Sequence, residues 1–324
     1  MQVKNKIQIQ KIAPNELVGG VKPKQKLEFG KTFTDRMFFM RYLPEGGWQD
    51  AIIKKYENFS ISPAATVFHY AQTIFEGLKA YHRTDGKIGL FRSRDNFLRM
   101  NASAKRLCLP ELDIDFVQDA LRQLLILEKN WIPQEEGTSL YIRPTMMGVD
   151  PKIGLKAADE CWFFIIMSPV GAYYKNGFGP VGIIIEDQYV RAVRGGIGAA
   201  KAGANYAASL MPGKLAQEKG FDQVLWLDGV ERKYIEEVGS MNIFFVYGQE
   251  IVSVKVLNPG RDTLNNFFLA YTVNNRQPVV QQFKQKIAPF QDSVTVEFER
   301  RADLDLSGTY EIKVYGFGND DDYL

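Results

Sequence analysis

The chain has 324 residues, 45% of them hydrophobic and 24% charged, which is typical of a folded protein large enough for two domains. Its 40 lysine and arginine residues nearly balance its 38 aspartate and glutamate residues, so the composition indicates no nucleic-acid or anionic-membrane partner. No stretch approaches the ~20 apolar residues of a membrane span, and the two histidines and two cysteines show no metal-ligand spacing. Cys108 and Cys161 have apolar neighbours, and we expect both to be buried free thiols. A cytoplasmic protein without a bound metal is therefore expected.

The N-terminal part of the chain predicts strands, one helix and a hairpin. β-favouring residues surround a turn at Gly30 within residues 27–43, which predicts short paired strands. After Ser62, apolar residues recur at helical spacing, which predicts a helix capped by that serine. The residues on its apolar face are Val67, Tyr70, Ile74, Phe75 and Leu78. The dipeptide Asp85-Gly86 then predicts the turn of a β-hairpin.

The middle of the chain predicts two helices followed by two strands. Residues 95–108 and 115–129 both have apolar residues at helical spacing. Residues 137–144 and 161–170 have the composition of strands. The second strand is nearly all apolar, which predicts burial on both of its faces.

A change of composition follows at residues 171–180, which are rich in glycine and polar residues and predict a connection between two domains. Residues 181–187 and 221–228 predict strands, and residues 206–219 predict a helix. The acidic pair Glu236-Glu237 then leads through a glycine turn into a further strand.

From residue 251 onward the chain consists of short β-type runs separated by polar turns, and no segment has a helical period. This pattern predicts a β-sandwich or part of one. The whole sequence thus predicts an α+β fold with a two-domain core and an all-β C-terminal segment. The changes of composition divide the chain into three expected parts, residues 1–172, residues 173–250 and a β-rich segment over residues 251–324.

The segment 195–206, GGIGAAKAGANY, contains a single lysine, Lys201, among small residues. Little side-chain bulk surrounds its amine, which could therefore lie against a flat molecule. A lysine amine is the group that forms a Schiff base with an aldehyde cofactor. The alternative is a solvated lysine in an ordinary loop, because most lysines are exposed.

An aldehyde cofactor such as pyridoxal 5′-phosphate needs three further groups. They are a carboxylate for the pyridine nitrogen, a hydroxyl for the ring oxygen and a cation for the phosphate. The candidates are Glu237, Tyr206 and Arg92. Each has an ordinary alternative, as a surface acid, a tyrosine at the edge of the core and a solvated strand end.

A series of motifs over residues 27–247 resembles the branched-chain amino-acid aminotransferases, which are class IV pyridoxal-phosphate enzymes of fold type IV. The motifs are FGKTFTDRMF, FHYAQTIFEGLKAY, GLFR, RLCLP, GTSLYIRP, PVGAYY, GAAKAGANYAAS, DQVLWLDG and EEVGSMNIFF. They occur in the family's order, and such a series is far more specific than a single motif. The resemblance implies transfer of an amino group from L-leucine, L-isoleucine or L-valine to 2-oxoglutarate.

The resemblance also implies that residues 1–172 are a small α/β domain, that residues 173–250 are part of a larger cofactor-binding domain, and that individual residues have defined roles. Lys201 would form the internal aldimine and carry the proton between Cα and C4′. Glu237, Tyr206 and Arg92 would bind the ring nitrogen, the ring oxygen and the phosphate. Arg143 would receive the distal carboxylate of glutamate. The pocket for the substrate side chain would be lined by Phe29, Tyr70, Phe75, Tyr141 and Tyr173.

The resemblance also implies a quaternary structure. Ile153 and Leu155 match a loop that reaches the partner subunit's site in the family, which implies a homodimer. After Tyr247 the family's pattern stops, and residues 257–261 and 307–309 echo only fragments of its remaining phosphate-binding turns. A working aminotransferase and a catalytically impaired mosaic with a β-sandwich-like tail therefore both stay open. Within the enzyme class, the alternative is a D-amino-acid aminotransferase or aminodeoxychorismate lyase relative.

Overall fold

The computed structural model describes most of the chain, in ten stretches. These are residues 6–22, 25–171, 180–239, 241, 243, 252–257, 263–274, 276–288, 293–302 and 312–317. The chain forms two compact units, residues 1–240 and residues 241–324. The boundary expected at residue 172 borders residues 172–179, which lie outside the described stretches, so it stays a prediction.

An eight-stranded sheet is the main element of the first unit. Its strands are β1 (Gln8–Ile9), β2 (Arg36–Leu43), β3 (Gly47–Lys55), β4 (Thr73–Phe75), β5 (Leu78–His82), β6 (Ile88–Leu90), β7 (Ser139–Gly148) and β8 (Cys161–Val170). The strand order is β1-β3-β2-β8-β7-β5-β6, and β4 pairs with one end of β7. All pairs are antiparallel except β1 with β3. β8 buries its last four residues on both faces and alternates before them, so the predicted two-sided burial holds only for that end.

Helices cover one part of this sheet. They are α1 (Thr66–Tyr70), α2 (Ser93–Arg106) and α3 (Ile114–Leu127), with single 3-10 turns at Pro14–Glu16 and Lys129–Trp131. Asp113 caps α3, because its side chain accepts a hydrogen bond from the N–H of Phe116. The apolar stripe of α3 and Phe97 of α2 pack into one core with the sheet residues Phe38 and Phe163. The two predicted helices and the predicted hairpin β5–β6 are thereby confirmed.

Two predictions for the N-terminal part are wrong. Residues 27–35 form no strand, and the hairpin there consists of β2 and β3. The predicted helix after Ser62 is reduced to the five residues of α1, because Ala71 takes a left-handed φ of 49° and ends it. β4 and β5 follow, since the β-favouring run Thr73–Phe75 finds a partner strand in β7. Long-range strand pairing has prevailed over local helical spacing.

A smaller sheet with two helices completes the first unit. Its elements are β9 (Ile183–Glu186), α4 (Gly203–Ala208), α5 (Leu210–Glu218), β10 (Gln223–Leu227) and β11 (Ile235–Val238). The strand order is β11-β10-β9, with β9 parallel and β11 antiparallel to β10. Ala216 of α5 packs on Val224 and Trp226 of β10. The helix predicted over 206–219 is therefore two helices that meet at Ser209.

The second unit is all β in its described residues. Its strands are β12 (Ser253–Leu257), β13 (Leu264–Val273), β14 (Val279–Ile287), β15 (Ser293–Glu297) and β16 (Ile312–Phe317). β12 pairs with β15, and β14-β13-β16 form a second antiparallel sheet. Phe267, Phe283 and Phe298 lie in one buried cluster with residues from both sheets. The predicted β-sandwich character of this segment is confirmed.

The cysteines differ in exposure. Cys161 is buried in β8, as predicted, and burial raises the pKa of its thiol to about 12. Cys108 is exposed, so the prediction of a buried thiol there is wrong. It follows α2 with a left-handed φ of 54°, which turns the chain outward before Leu109 returns to the core. None of the helices in the described part of the chain has the length and apolar character that crossing a bilayer requires.

Candidate active site

Lys201 lies in the loop before α4 and is fixed by backbone contacts on both sides. Its N–H donates a hydrogen bond of 2.9 Å to Oγ of Ser103 on α2. Its carbonyl oxygen accepts a hydrogen bond of 3.1 Å from the N–H of Phe75 at the end of β4. The next residue, Ala202, forms a β-bridge with Ile74. The loop that carries the lysine is therefore held against both the large sheet and α2.

The amine of Lys201 contacts two aromatic residues. Its Nζ donates a hydrogen bond of 2.6 Å to the hydroxyl of Tyr206 on α4. The same nitrogen lies 4.8 Å from the ring centroid of Phe75 and 5.1 Å from that of Tyr206, and the two rings are in contact with each other. Lys201 is partly buried. This arrangement differs from the freely solvated lysine of an ordinary loop.

Glu237 is a partly buried carboxylate in β11. It forms an ion pair of 2.5 Å with Nε of Arg191. Burial, together with the neighbouring charge of Glu236, raises the pKa of Glu237 against the opposing charges of Arg191 and Lys201. The influence of Lys201 on this pKa indicates that the amine and the carboxylate belong to the same electrostatic environment. A cation placed beside Glu237 would thus stabilise its ionised form.

The turn before Glu237 is fixed by Asp228. Its carboxylate accepts hydrogen bonds from four backbone N–H groups, those of Val230, Glu231, Lys233 and Tyr234. These backbone donors hold the pKa of Asp228 well below its usual range. The turn that connects β10 to β11 is therefore closed by one side chain, which sets where β11 and Glu237 begin.

A second group of predicted residues lies on β7. Tyr141 and Arg143 are two positions apart and so share a face of that strand. Nε and Nη2 of Arg143 donate to the Tyr141 hydroxyl at 3.0 and 2.7 Å. The guanidinium carbon of Arg143 lies 4.3 Å from the ring centroid of Phe75, and the ring of Tyr141 lies 4.9 Å from that of Phe29. Phe75 therefore joins this group to Lys201 and Tyr206.

The remaining predicted residues lie apart from that cluster. Arg92 precedes α2 and forms an ion pair of 2.6 Å with Asp95, and no contact in the described part of the chain joins it to Lys201. Tyr70 donates a short hydrogen bond to the carbonyl of Ile153. Tyr173 lies outside the described residues. The same is true of residues 258–261 and 307–309, so the echoes of the family's phosphate-binding turns have no structural description.

Two contacts of the site involve residues that the sequence did not single out. Ser103 binds the backbone of Lys201, and Arg191 binds Glu237. Ser103 falls on the buried face of α2, and a buried serine in a predicted helix signals the need for a polar partner. Arg191 gives no comparable signal, since it is one of two arginines in the loop between β9 and α4.

A cavity of about 200 Å³ adjoins the site. Arg191 and Tyr206 are among its lining residues, together with Asn205, Gln223 and Trp226. It adjoins the site because Tyr206 binds the amine of Lys201 and Arg191 binds Glu237.

The chain belongs to the amino-transferase class IV family, whose model matches residues 73–260. This match covers Lys201, Tyr206 and Glu237 and extends beyond Tyr247, where the series of motifs ends. The cofactor of the family is pyridoxal 5′-phosphate.

The chain is similar in sequence to several bacterial enzymes. Branched-chain-amino-acid aminotransferase 2 of Bacillus subtilis is 52% identical over 241 residues, which are 74% of this chain and 66% of that protein. The probable branched-chain-amino-acid aminotransferase of Staphylococcus aureus is 51% identical over 229 residues, which are 70% of this chain and 64% of that protein. The chain thus spans slightly less than two thirds of the length of these relatives.

Solved structures agree on the fold. The branched-chain aminotransferase of Thermoproteus uzoniensis, solved with norvaline, has a TM-score of 0.51 at 21% identity and covers 69% of this chain and 66% of its own. The T.th. branched-chain amino acid aminotransferase, solved with pyridoxamine 5′-phosphate, has a TM-score of 0.50 at 21% identity and covers 69% of this chain and 65% of its own. The expected α+β fold-type-IV core, with an atypical all-β C-terminal segment, is confirmed.

Proposed function

We propose that this chain is a pyridoxal-phosphate-dependent aminotransferase that moves the amino group of L-leucine, L-isoleucine or L-valine to 2-oxoglutarate. The observation that carries this proposal is the contact of Phe75 with both Lys201 and Arg143. A lysine amine for the cofactor and a guanidinium for a substrate carboxylate thereby contact the same apolar ring. The sequence similarity to branched-chain aminotransferases supports this choice of substrate.

The side chains around Lys201 fit pyridoxal phosphate. The cofactor supplies, when it is bound, an electron-withdrawing ring that stabilises negative charge on the substrate Cα. Lys201 would hold the cofactor through its amine and would then move the proton of the substrate Cα. Tyr206 would bind the ring oxygen, a role that suits a hydroxyl 2.6 Å from the amine of Lys201.

Glu237 and Arg92 would bind the two ends of the cofactor. Glu237 would face the ring nitrogen. Burial raises the pKa of Glu237, and a protonated ring nitrogen beside the carboxylate would offset the cost of burying its negative charge. Arg92 would bind the phosphate. It is the N-cap residue of α2, and its side chain makes no capping hydrogen bond, so an anion would find the N–H groups of Ser93 and Arg94 beside the guanidinium. Arg92 would exchange its ion pair with Asp95 for this role.

The substrate would lie against β4 and β7. Phe75, Phe29 and Tyr141 offer an apolar wall for a branched side chain. Arg143 would receive the distal carboxylate of glutamate, since its charge is met only by the Tyr141 hydroxyl and the faces of aromatic rings among the described residues. Tyr70 and Tyr173 complete the proposed pocket by resemblance to the family.

A homodimer and a cytoplasmic location are part of the proposal. Ile153 and Leu155 are 68% and 85% exposed, and Tyr70 holds the backbone of Ile153. A partner subunit would cover these apolar side chains. Analytical ultracentrifugation tests this point, because Ile153→Asp should shift the chain toward monomer, whereas Ile126→Asp on exposed α3 surface should not. The cytoplasmic location is supported by two unpaired cysteines, which suit a reducing compartment.

The test of the reaction is a substrate panel. The chain is incubated with pyridoxal phosphate and 2-oxoglutarate, and glutamate formation is measured with L-leucine, L-isoleucine and L-valine. D-alanine and aminodeoxychorismate are tested in parallel, with pyruvate as the readout for the second. Lys201→Ala should abolish turnover, and Lys214→Ala on the surface of α5 serves as the matched control.

Each outcome of the panel has a defined meaning. Glutamate formation from the branched-chain substrates that depends on Lys201 supports the proposal. Activity with D-alanine or aminodeoxychorismate alone contradicts it in favour of those relatives. Absence of all activity in a folded chain would identify the impaired mosaic instead.

A further inference from the structure

A buried carboxylate lies beside the candidate site and has no role in the reaction proposed above. Glu76, between β4 and β5, is fully buried. Its Oε1 accepts a hydrogen bond of 2.6 Å from Nε of Arg99, and its Oε2 accepts one of 2.7 Å from Nη2 of the same guanidinium. The amide of Asn96 donates to Oε2 at 3.0 Å. Two residues of α2 therefore hold one carboxylate of the sheet.

The neighbours of Glu76 in sequence contact the candidate site directly. Phe75 contacts Lys201 and Arg143. Gly77 packs so closely on Tyr141 that a Cβ atom at this position would lie 2.4 Å from the tyrosine hydroxyl. The backbone N–H of Glu76 itself donates to the carbonyl of Pro144 on β7 at 2.9 Å. The three residues 75–77 thus form the floor between the lysine and the arginine.

A buried charge at this place needs a reason. Burying a carboxylate is unfavourable unless it is paired, and an apolar side chain of similar size often stabilises a fold equally well. A bidentate arginine pair differs from an apolar contact because its direction and distance are fixed. The pair between Glu76 and Arg99 therefore fixes the position of the floor relative to α2. An apolar contact at the same place would leave this position less restricted.

We propose that Glu76 is a positioning residue of the amino-acid pocket, which fixes the floor 75–77 against Tyr141 and Arg143 through its bonds to Arg99 and Asn96. This inference rests on the proposed function for its consequence in catalysis. Its structural part is that Glu76 determines the environment of the Tyr141 hydroxyl, and this can be measured without the cofactor and without enzymatic activity. Burial raises the pKa of the Tyr141 hydroxyl against the opposing effect of Arg143, and the charge of Glu76 adds to the increase.

The first test is a tyrosine titration by NMR in the full chain. Tyrosine labelled with ¹³C at Cζ is incorporated, and the signal lost in Tyr141→Phe identifies Tyr141. Glu76→Gln should change the titration curve of Tyr141, because the loss of a negative charge lowers its pKa and the released hydroxyl loses its fixed contact with Arg143, which shifts the Cζ signal at neutral pH. Asp119→Asn, which removes a carboxylate from an ion pair on α3, should leave the Tyr141 titration unchanged. An unchanged Tyr141 titration in Glu76→Gln overturns the inference.

The second test is a comparison of KM with kcat. Glu76→Gln should raise KM for L-leucine and for 2-oxoglutarate by about tenfold, the effect of losing a hydrogen bond to a charged group. The change in kcat should be clearly smaller, because Lys201 keeps its contacts with Ser103 and Tyr206. Asp119→Asn should change neither constant. Unchanged KM values in Glu76→Gln overturn the role in the pocket.

A replacement variant covers the case in which Glu76→Gln does not fold. Arg99→Lys keeps both charges and loses the bidentate geometry, so it should raise the same KM values, and unchanged values there overturn the proposal. If the parent chain transfers no amino group, the proposed function fails by itself. The tyrosine titration then still decides whether Glu76 controls Tyr141.

Discussion

The hydroxyl of Tyr206 is the side-chain group that binds the amine of Lys201, and its removal is the sharpest perturbation that the site offers. Tyr206→Phe deletes the oxygen 2.6 Å from Nζ of Lys201 and leaves the ring that contacts Phe75. Hydrogen bonds to charged groups contribute ~1.5–3 kcal/mol. Since about 1.4 kcal/mol corresponds to a factor of ten, kcat/KM for L-leucine should fall about 10- to 150-fold.

The assay measures glutamate formation at several concentrations of L-leucine, with the cofactor in excess. Tyr81→Phe is the matched control, because Tyr81 is 41% exposed and no described hydrogen bond involves its hydroxyl. A circular dichroism spectrum of both variants establishes that they are folded. The control should retain the activity of the parent chain.

A folded Tyr206→Phe variant that keeps kcat/KM within twofold of the parent would contradict this prediction. Such a result would mean that the hydroxyl contributes nothing to the state in which the amine acts. A loss of equal size in Tyr81→Phe would also refute the reasoning, since the effect would then not be specific to the Lys201 contact.

Three further predictions concern the pocket, the thiols and stability. Gly77→Ala should raise KM for both substrates by roughly tenfold, because its Cβ would displace Tyr141 and such overpacking costs ~1–3 kcal/mol. Steady-state kinetics checks this, with Gly213→Ala as the control because its Cβ would meet no atom within 4 Å. Equal KM values in Gly77→Ala and the parent chain would contradict the prediction. A thiol reagent at pH 8 should label Cys108 alone in the folded chain and Cys161 only after unfolding, because burial raises the pKa of Cys161 to about 12. Mass spectrometry of the labelled peptides measures this. Labelling of Cys161 in the folded chain would contradict its burial. Burial raises the pKa of Glu128 above its value in the unfolded chain, so the stability that its protonated form contributes is present at low pH and is lost as the pH rises through the folded value. Glu128→Gln should flatten this part of the pH profile of urea unfolding, and an unchanged slope would speak against the raised pKa.

Elements with strong local patterns could be predicted from the sequence. α3 has an apolar stripe and the capping residue Asp113, and the hairpin β5–β6 has the turn dipeptide Asp85-Gly86. The β runs that form β12 to β16 in the described part of residues 251–324 were recognisable because no helical spacing competes with them there. Local sequence decided these elements, so the prediction agrees with the structure.

The segment after Ser62 shows where local pattern is insufficient. Its apolar residues have helical spacing, but β4 and β5 replace most of the expected helix. The cause is β7, which lies about seventy residues later in the chain and offers a partner for strand pairing. A single sequence does not indicate which distant strand will pair with this segment.

The candidate residues of the site could be predicted from the sequence, but most of their hydrogen-bond and ion-pair partners could not. Lys201, Tyr206 and Phe75 form one cluster, as their predicted roles require. The partner of Glu237, Arg191, was not predictable because an arginine in a loop has no characteristic spacing. Arg92 remains a prediction for the phosphate, since its ion pair in the structure is with Asp95.

The central claim is that Lys201 holds pyridoxal phosphate and presents it to a branched-chain substrate. The most direct measurement is the visible absorption spectrum of the purified chain with pyridoxal phosphate, before and after L-leucine is added, followed by borohydride reduction and peptide mass mapping. Lys201→Ala and Lys214→Ala are measured beside the parent chain. We expect a visible band that depends on Lys201 and bleaches with L-leucine, and a cofactor label on the peptide that contains Lys201. A folded chain without this band, or a label on another lysine, would contradict the claim.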